Sequence, residues 1–120
     1  MILVVDDNLD ACKPLCRLLE MDGYEAECIL SGREALHSMH ARKPDLLILD
    51  IMMPGMSGLE VLETLRHDPD LKDLPVVMYT ADVSERDREQ AIQLGARDYL
   101  IKGQLSWQEL RERIHYNYPA

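Results

Sequence analysis

Five side chains scattered over the sequence share one local context: each stands where an apolar run ends. Asp6 and Asp7 follow ILVV, Asp50 follows LLIL, Thr80 closes PVVMYT and Lys102 follows DYLI. Carboxylates brought together repel; at ~5 Å and an effective dielectric of about 20, each pair costs roughly 3 kcal/mol. Protonation or a bound cation relieves that repulsion. A ligand set made of oxygen alone, with no His or Cys beside it, favours a hard ion, Mg2+ above all. An ammonium and a hydroxyl next to that ion make a pocket for a tetrahedral anion, with Lys102 as point charge and Thr80 as hydrogen-bonding group. A carboxylate facing such a pocket can be a nucleophile towards phosphorus. Taken singly, each residue has a plainer reading: acids often lead a strand into a helix, Thr80 suits a strand, and Lys102 suits a surface. Five matching residue types at four strand ends are harder to explain that way.

The elements that must position them alternate along the chain. Strand-like apolar runs occupy Ile2–Val5, Glu27–Leu30, Leu46–Ile51, Pro75–Thr80 and Asp98–Ile101. Between and after them lie helical spacings, marked by Leu15, Leu18 and Leu19, by Ala35 and Met39, by Leu59, Leu62 and Leu65, by Ala91 and Leu94, and by Leu110 and Ile114. Ser31…Glu34, Ser57…Glu60, Ser84…Asp87 and Ser106…Glu109 each precede a helical pattern. In that spacing the hydroxyl caps the first turn while the acid reaches back to the cap residue. Gly23 and Gly95 stand where helices should end, as left-handed caps do. Pro14 falls inside the first helical segment, where it should kink the helix or delay its start, the kink being preferred. Five strand–helix units with near-continuous apolar strands predict a parallel sheet covered on both faces. Such sheets hold ligands beyond the carboxyl ends of their strands.

The chain has 120 residues, which suits one domain over residues 1–120. Its net charge of −9 repels phosphate backbones and anionic lipid, so cations and basic protein surfaces are the better partners and nucleic acid and membrane are not expected. Met1 opens directly into ILVV without a basic leader, which leads to the expectation of a cytoplasmic setting. Cys12, Cys16 and Cys28 are an odd count and are expected as reduced, packed thiols rather than metal ligands.

The segments ILVVDDN, LLILDIMMPGMSGLE, VVMYTA and GARDYLIK resemble the receiver domain of bacterial two-component response regulators. The resemblance covers essentially the whole chain. It implies a flavodoxin-like, doubly wound α/β fold whose five parallel strands run in the order 2-1-3-4-5, with five helices on both faces. It implies transfer of a phosphoryl group to Asp50 from the phosphohistidine of a sensor histidine kinase or phosphotransfer protein. Asp6, Asp7, Asp50 and the backbone carbonyl of Met52 would hold Mg2+, and Thr80 and Lys102 would contact the phosphoryl oxygens. Tyr99 resembles the family's switch aromatic, moving inward when Thr80 turns towards the phosphoryl group. The readout surface would be helix four, strand five and helix five, including Ala91, Leu94, Tyr99, Leu105 and Trp107. An output domain or downstream protein of unknown kind is implied, and a phosphorylation-dependent dimer is allowed. Pro54, Gly55 and Gly58 would shape the loop around the metal, with Met52, Met53 and Met56 packing their side chains against neighbouring loops. Met52 and Asp82 flank the site where the family tunes hydrolysis of the acyl phosphate, although Asp82 also suits a solvated loop.

The chain departs from the family at Lys102-Gly103, where Lys-Pro with a cis bond is usual. A cis bond before a non-proline residue costs ~2.5–4 kcal/mol. Either a trans bond with a reshaped loop or a strained cis bond is therefore expected. Three other readings compete. A constitutive docking module would have a vestigial acidic site, but all five key residues are present. An aspartate-based phosphohydrolase usually wants a second carboxylate two residues after the nucleophile, where this chain has Met52. A flavin-binding module would want a glycine- and hydroxyl-rich loop after strand one, where Asp6-Asp7-Asn8 has the wrong sign for phosphate.

Overall fold

In β1 (Ile2–Val5) and β3 (Leu46–Leu49) every residue is buried, so both faces of each strand must be covered. The computed structural model, which describes residues 1–119, does this with a sheet between two layers of helices. The elements run β1, α1 (Leu9–Met21), β2 (Ala26–Ile29), α2 (Gly32–Ala41), β3, α3 (Gly58–His67), β4 (Val76–Thr80), α4 (Glu85–Gln93), β5 (Asp98–Ile101) and α5 (Trp107–Asn117). The strands are all parallel and lie in the order β2-β1-β3-β4-β5, as the resemblance implied. Side chains alternate across the sheet. Leu3, Val5, Leu47 and Leu49 point to one side, where they meet Met39, Leu62 and Ala91 of α2, α3 and α4. Ile2, Val4, Leu46 and Ile48 point to the other, against Leu15, Leu19, Leu110 and Ile114 of α1 and α5.

The predicted strand ends differ in small, explicable ways. β2 lies one residue earlier than its apolar pattern suggests. β3 ends at Leu49; Asp50 still donates its backbone N–H to Val5 O at 3.0 Å, and the chain turns at Ile51. Pro75 has no N–H to donate and stays outside β4, although its carbonyl accepts from Leu47 N at 3.0 Å. Pro14 lies within a helix that already begins at Leu9, so it does not delay the start.

All four predicted serine caps accept from the expected backbone N–H, at 3.1–3.3 Å. Only Ser57 and Ser106 form the full reciprocal box. At Ser84 the acid is Asp87, one methylene shorter than Glu, and its carboxyl meets Asp82 instead. Gly23 and Gly95 close α1 and α4 at φ 95° and 83°.

Helix α4 is held differently from the rest. Ala91 is its one buried residue, whereas α3 buries five. Its C-terminal end is tied by Arg66, whose guanidinium donates to Leu94 O at 2.6 Å and Gly95 O at 3.1 Å. The same side chain reaches Lys72 O and Leu74 O at 2.8 and 2.9 Å. No helix among the described residues is long and apolar enough to cross a membrane.

The expectation of three free thiols is corrected. Cys12 and Cys28 are joined as a disulfide, and Cys16 alone is free. The cause is geometric: Cys12 faces inward from α1 onto the strand that follows it, and the two Cα atoms come within 6.0 Å, inside the range a bridge needs.

Candidate functional site

The five residues singled out from the sequence converge at the carboxyl edge of the sheet. Strand order reverses between β1 and β3, and these two strands deliver Asp6, Asp7 and Asp50. One carboxylate oxygen from each lies within 4.8 Å of the others. Asp6 and Asp50 are 4% and 5% exposed, while Asp7 faces solvent. The buried pair is held by backbone amides: Asn8 N donates to Asp6 Oδ1 at 2.9 Å, and Met52 N lies 3.4 Å from Asp50 Oδ1.

Lys102 answers the acids from β5. Its Nζ lies 2.5 Å from Asp6 Oδ2 and 3.3 Å from Asp50 Oδ2. Burial disfavours the charged ammonium, but Asp6 and Asp50 more than offset that, so its pKa stands above the ordinary lysine value. Among the described residues every peptide bond is trans, which decides the question raised by Lys102-Gly103. Gly103 instead takes φ 83°, a left-handed turn that glycine enters without a Cβ clash. This is the reshaped loop, and it still delivers Lys102 to both carboxylates.

Thr80 ends β4 fully buried, and its Oγ1 accepts from Asp82 N at 3.2 Å. Asp82 O in turn accepts from the Tyr99 hydroxyl at 2.9 Å. One residue of the β4–α4 loop therefore connects Thr80 to Tyr99. Burial, with Asp82, Asp87 and Asp50 nearby, pushes the Tyr99 phenol up to about 12, so it stays a donor. Asp87, which the sequence reading used only as a cap, is raised by the hydrogen bond it shares with Asp82. Its place three residues after Ser84, on a short side chain, was the signal for that contact.

The loop after Asp50 curls tightly. Gly55 has φ 77°, and Gly58 N donates to Ile51 O at 2.9 Å. A Cβ on Gly58 would sit 2.0 Å from Asp50 O, so this glycine is required by contact rather than by its dihedral. The methionines divide. Met53 is buried, but Met52 is 61% exposed, which corrects the expectation that its side chain packs. Its neighbours Ile51 and Met53 turn into the core, which leaves the Met52 side chain to solvent.

An oxygen-lined cluster, an ammonium bridging two acids and a buried hydroxyl gather at four adjoining strand ends, those of β1, β3, β4 and β5. The family described as response regulator receiver domain matches residues 2–115. The phosphate regulon transcriptional regulatory protein PhoB of Rhizobium meliloti is 43% identical over 114 residues, which is 94% of this chain and 49% of that protein. The chain thus spans about half the length of this curated relative. A putative response regulator from Chloroflexus aurantiacus has a TM-score of 0.88 at 35% identity, covering 96% of this chain and 93% of that one. Vibrio cholerae chemotaxis protein CheY4 has a TM-score of 0.88 at 28% identity, covering 97% and 96%. On its residues, its strand order and these relatives, the chain belongs to the receiver domains of two-component response regulators.

Proposed function

We propose that this receiver domain, spanning residues 1–120, takes a phosphoryl group onto Asp50 from a phosphohistidine of a sensor kinase or phosphotransfer protein. The observation that carries the reading is Lys102 seated on Asp6 and Asp50 together, because a vestigial site has no reason to keep a buried acid pair and its counter-charge. Asp6, Asp7 and Asp50 supply a donor set of oxygen alone, and their crowding suits a hard divalent ion, so the residues fit Mg2+. Those three carboxylates and the backbone carbonyl of Met52 would hold it. Bound there, it would screen the charge of the incoming donor.

The chain's own residues do the rest. An Asp50 oxygen attacks phosphorus as the phosphorus–nitrogen bond breaks, and the leaving imidazole nitrogen keeps the electron pair and takes a proton. Lys102 is within reach to exchange its contact with Asp50 for one with a phosphoryl oxygen. Thr80 uses its Oγ1 as an acceptor for Asp82 N, and in this reading it turns that hydroxyl towards a second phosphoryl oxygen and gives up the loop contact. That frees the loop residue whose carbonyl holds the Tyr99 hydroxyl, and Tyr99 is then free to rotate inward. The dianion thereby biases a two-state element through contacts it makes in one state only. The surface altered is α4, β5 and α5, including Ala91, Leu94, Leu105 and Trp107. The domain is a switch that performs its own phosphorylation and dephosphorylation rather than a turnover enzyme. We place it in the cytoplasm beside its kinase, with an output domain or downstream protein reading the altered face. A phosphorylation-dependent dimer is compatible with this arrangement.

The test is acetyl phosphate with Mg2+, followed at once by intact mass. The wild type should gain the mass of one phosphoryl group, and Asp50→Asn or omission of Mg2+ should abolish the gain. A wild-type mass unchanged under these conditions, or an equal gain in Asp50→Asn, would overturn the assignment.

A further inference from the structure

We propose that Cys12, Cys16 and Cys28 form a reversible thiol–disulfide site, opened and closed by small-molecule disulfides, with Cys28 as the shared partner. Cys12 and Cys16 lie one turn apart on the inward face of α1, and Cys28 lies on β2, the edge strand of the sheet. The three sulfurs are all within 4.8 Å of one another. Cys28 is bonded to Cys12, and its Sγ lies 3.5 Å from that of Cys16. Cys28 therefore stands beside both α1 sulfurs and can bridge to either.

Exposure assigns the order of events. Cys12 and Cys16 are 1% and 6% exposed, while Cys28 is only partly buried. An external disulfide reaches Cys28 first. Its thiolate attacks one sulfur of R–S–S–R, that bond breaks, and one RS⁻ leaves and takes a proton. The Cys12 thiolate then attacks Cys28 Sγ, and the second RS⁻ leaves and is protonated. Two protein thiols are oxidised and one R–S–S–R is reduced to two RSH. Burial, helped by Glu20 and Glu27, pushes the Cys16 thiol up to about 11. The structure joins Cys12 to Cys28 and leaves Cys16 free beside them, so Cys12–Cys28 is the resting bridge and Cys16 the reserve.

The closed bridge fastens α1 to β2. Asn8 caps helix α1 and has its N–H held by Asp6, so the clip anchors the helix that follows the acidic pair. A closed loop of this span should raise Tm by roughly 10 °C over the reduced protein.

The test starts from fully reduced protein, treated in native buffer with glutathione disulfide. Expected are the loss of two hydrogen atoms in intact mass, one thiol left on titration after denaturation, and a Cys12–Cys28 link on peptide fragmentation, all reversed by dithiothreitol. Cys16→Ser should keep that bridge. Cys12→Ser should move it to Cys16–Cys28, and Cys28→Ala should form no bridge within the chain. Three free thiols in treated wild type, a glutathione adduct that never closes, or a Cys12–Cys16 link in Cys28→Ala would each overturn the proposal. The wild-type thiol count decides the matter even if a variant does not fold.

Discussion

Gly58→Ala should cost about 3 kcal/mol of folding stability and blunt phosphorylation as well. The new methyl would lie 2.0 Å from Asp50 O and 2.8 Å from both Asp50 C and Ile51 Cα. These are backbone atoms at the end of a fully buried strand, so no side-chain rotation relieves the overlap. Better helix propensity at the first position of α3 returns less than ~1 kcal/mol. The chain must therefore lift α3 or displace Asp50, and either movement disturbs the carboxylate pair. Gly55→Ala is the internal control. It forces a φ of 77° on alanine but meets nothing within 4 Å, so it should cost only ~1–2 kcal/mol. Urea unfolding followed by the fluorescence of Trp107, the one tryptophan, ranks the two. A ranking with Gly55→Ala the more damaging would refute the close-contact account.

Lys102→Met should slow phosphorylation by acetyl phosphate by about 10²-fold or more, the usual loss when one donor to developing charge is removed. The same variant should bind Mg2+ more tightly. In the wild type the ammonium occupies Asp6 and Asp50, and its charge opposes a divalent ion beside it. Unit and double positive charges ~6 Å apart, even at a water-like dielectric of about 80, repel by about 1.4 kcal/mol, or tenfold in affinity. Without metal, Lys102→Met leaves two buried carboxylates facing each other uncompensated, so it should be less stable than wild type and regain much of the difference on adding Mg2+. Titration of intrinsic fluorescence with Mg2+, alongside single-turnover phosphorylation, separates the two effects. Weaker metal binding together with a slower reaction would mean that Lys102 builds the cluster rather than competing for it.

The parallel sheet and the convergence at its edge were legible because β1 and β3 are buried on both faces and so read as unbroken apolar runs that stop at acids, whereas the strand order came from the family resemblance and not from the pattern. The four serine caps were legible for a similar reason, since capping needs only local chain. What escaped required distances between segments. Gly55 and Gly58 look alike in the sequence, yet one is needed for its dihedral and the other for its lack of a Cβ. Arg66 reads as a surface cation on α3, but four carbonyls from two loops meet it. Cys28 gives no local sign of facing Cys12, because that depends on how α1 lies over β2. Met52 sits among apolar neighbours and only the fold decides that Ile51 and Met53 turn inward instead.

Helix α4 keeps a single side chain in the interior, while α3 keeps four, those of Leu59, Val61, Leu62 and Leu65. Displacing it exposes little apolar surface, so its amide hydrogens should swap for deuterium well before those of α3, by a route that leaves the sheet intact. Amide exchange followed by mass spectrometry should rank the two helices in that order. The consequence is mechanical asymmetry: the acids ride on the stiffest part of the molecule, and the hydroxyl at residue 80 borders its most yielding part.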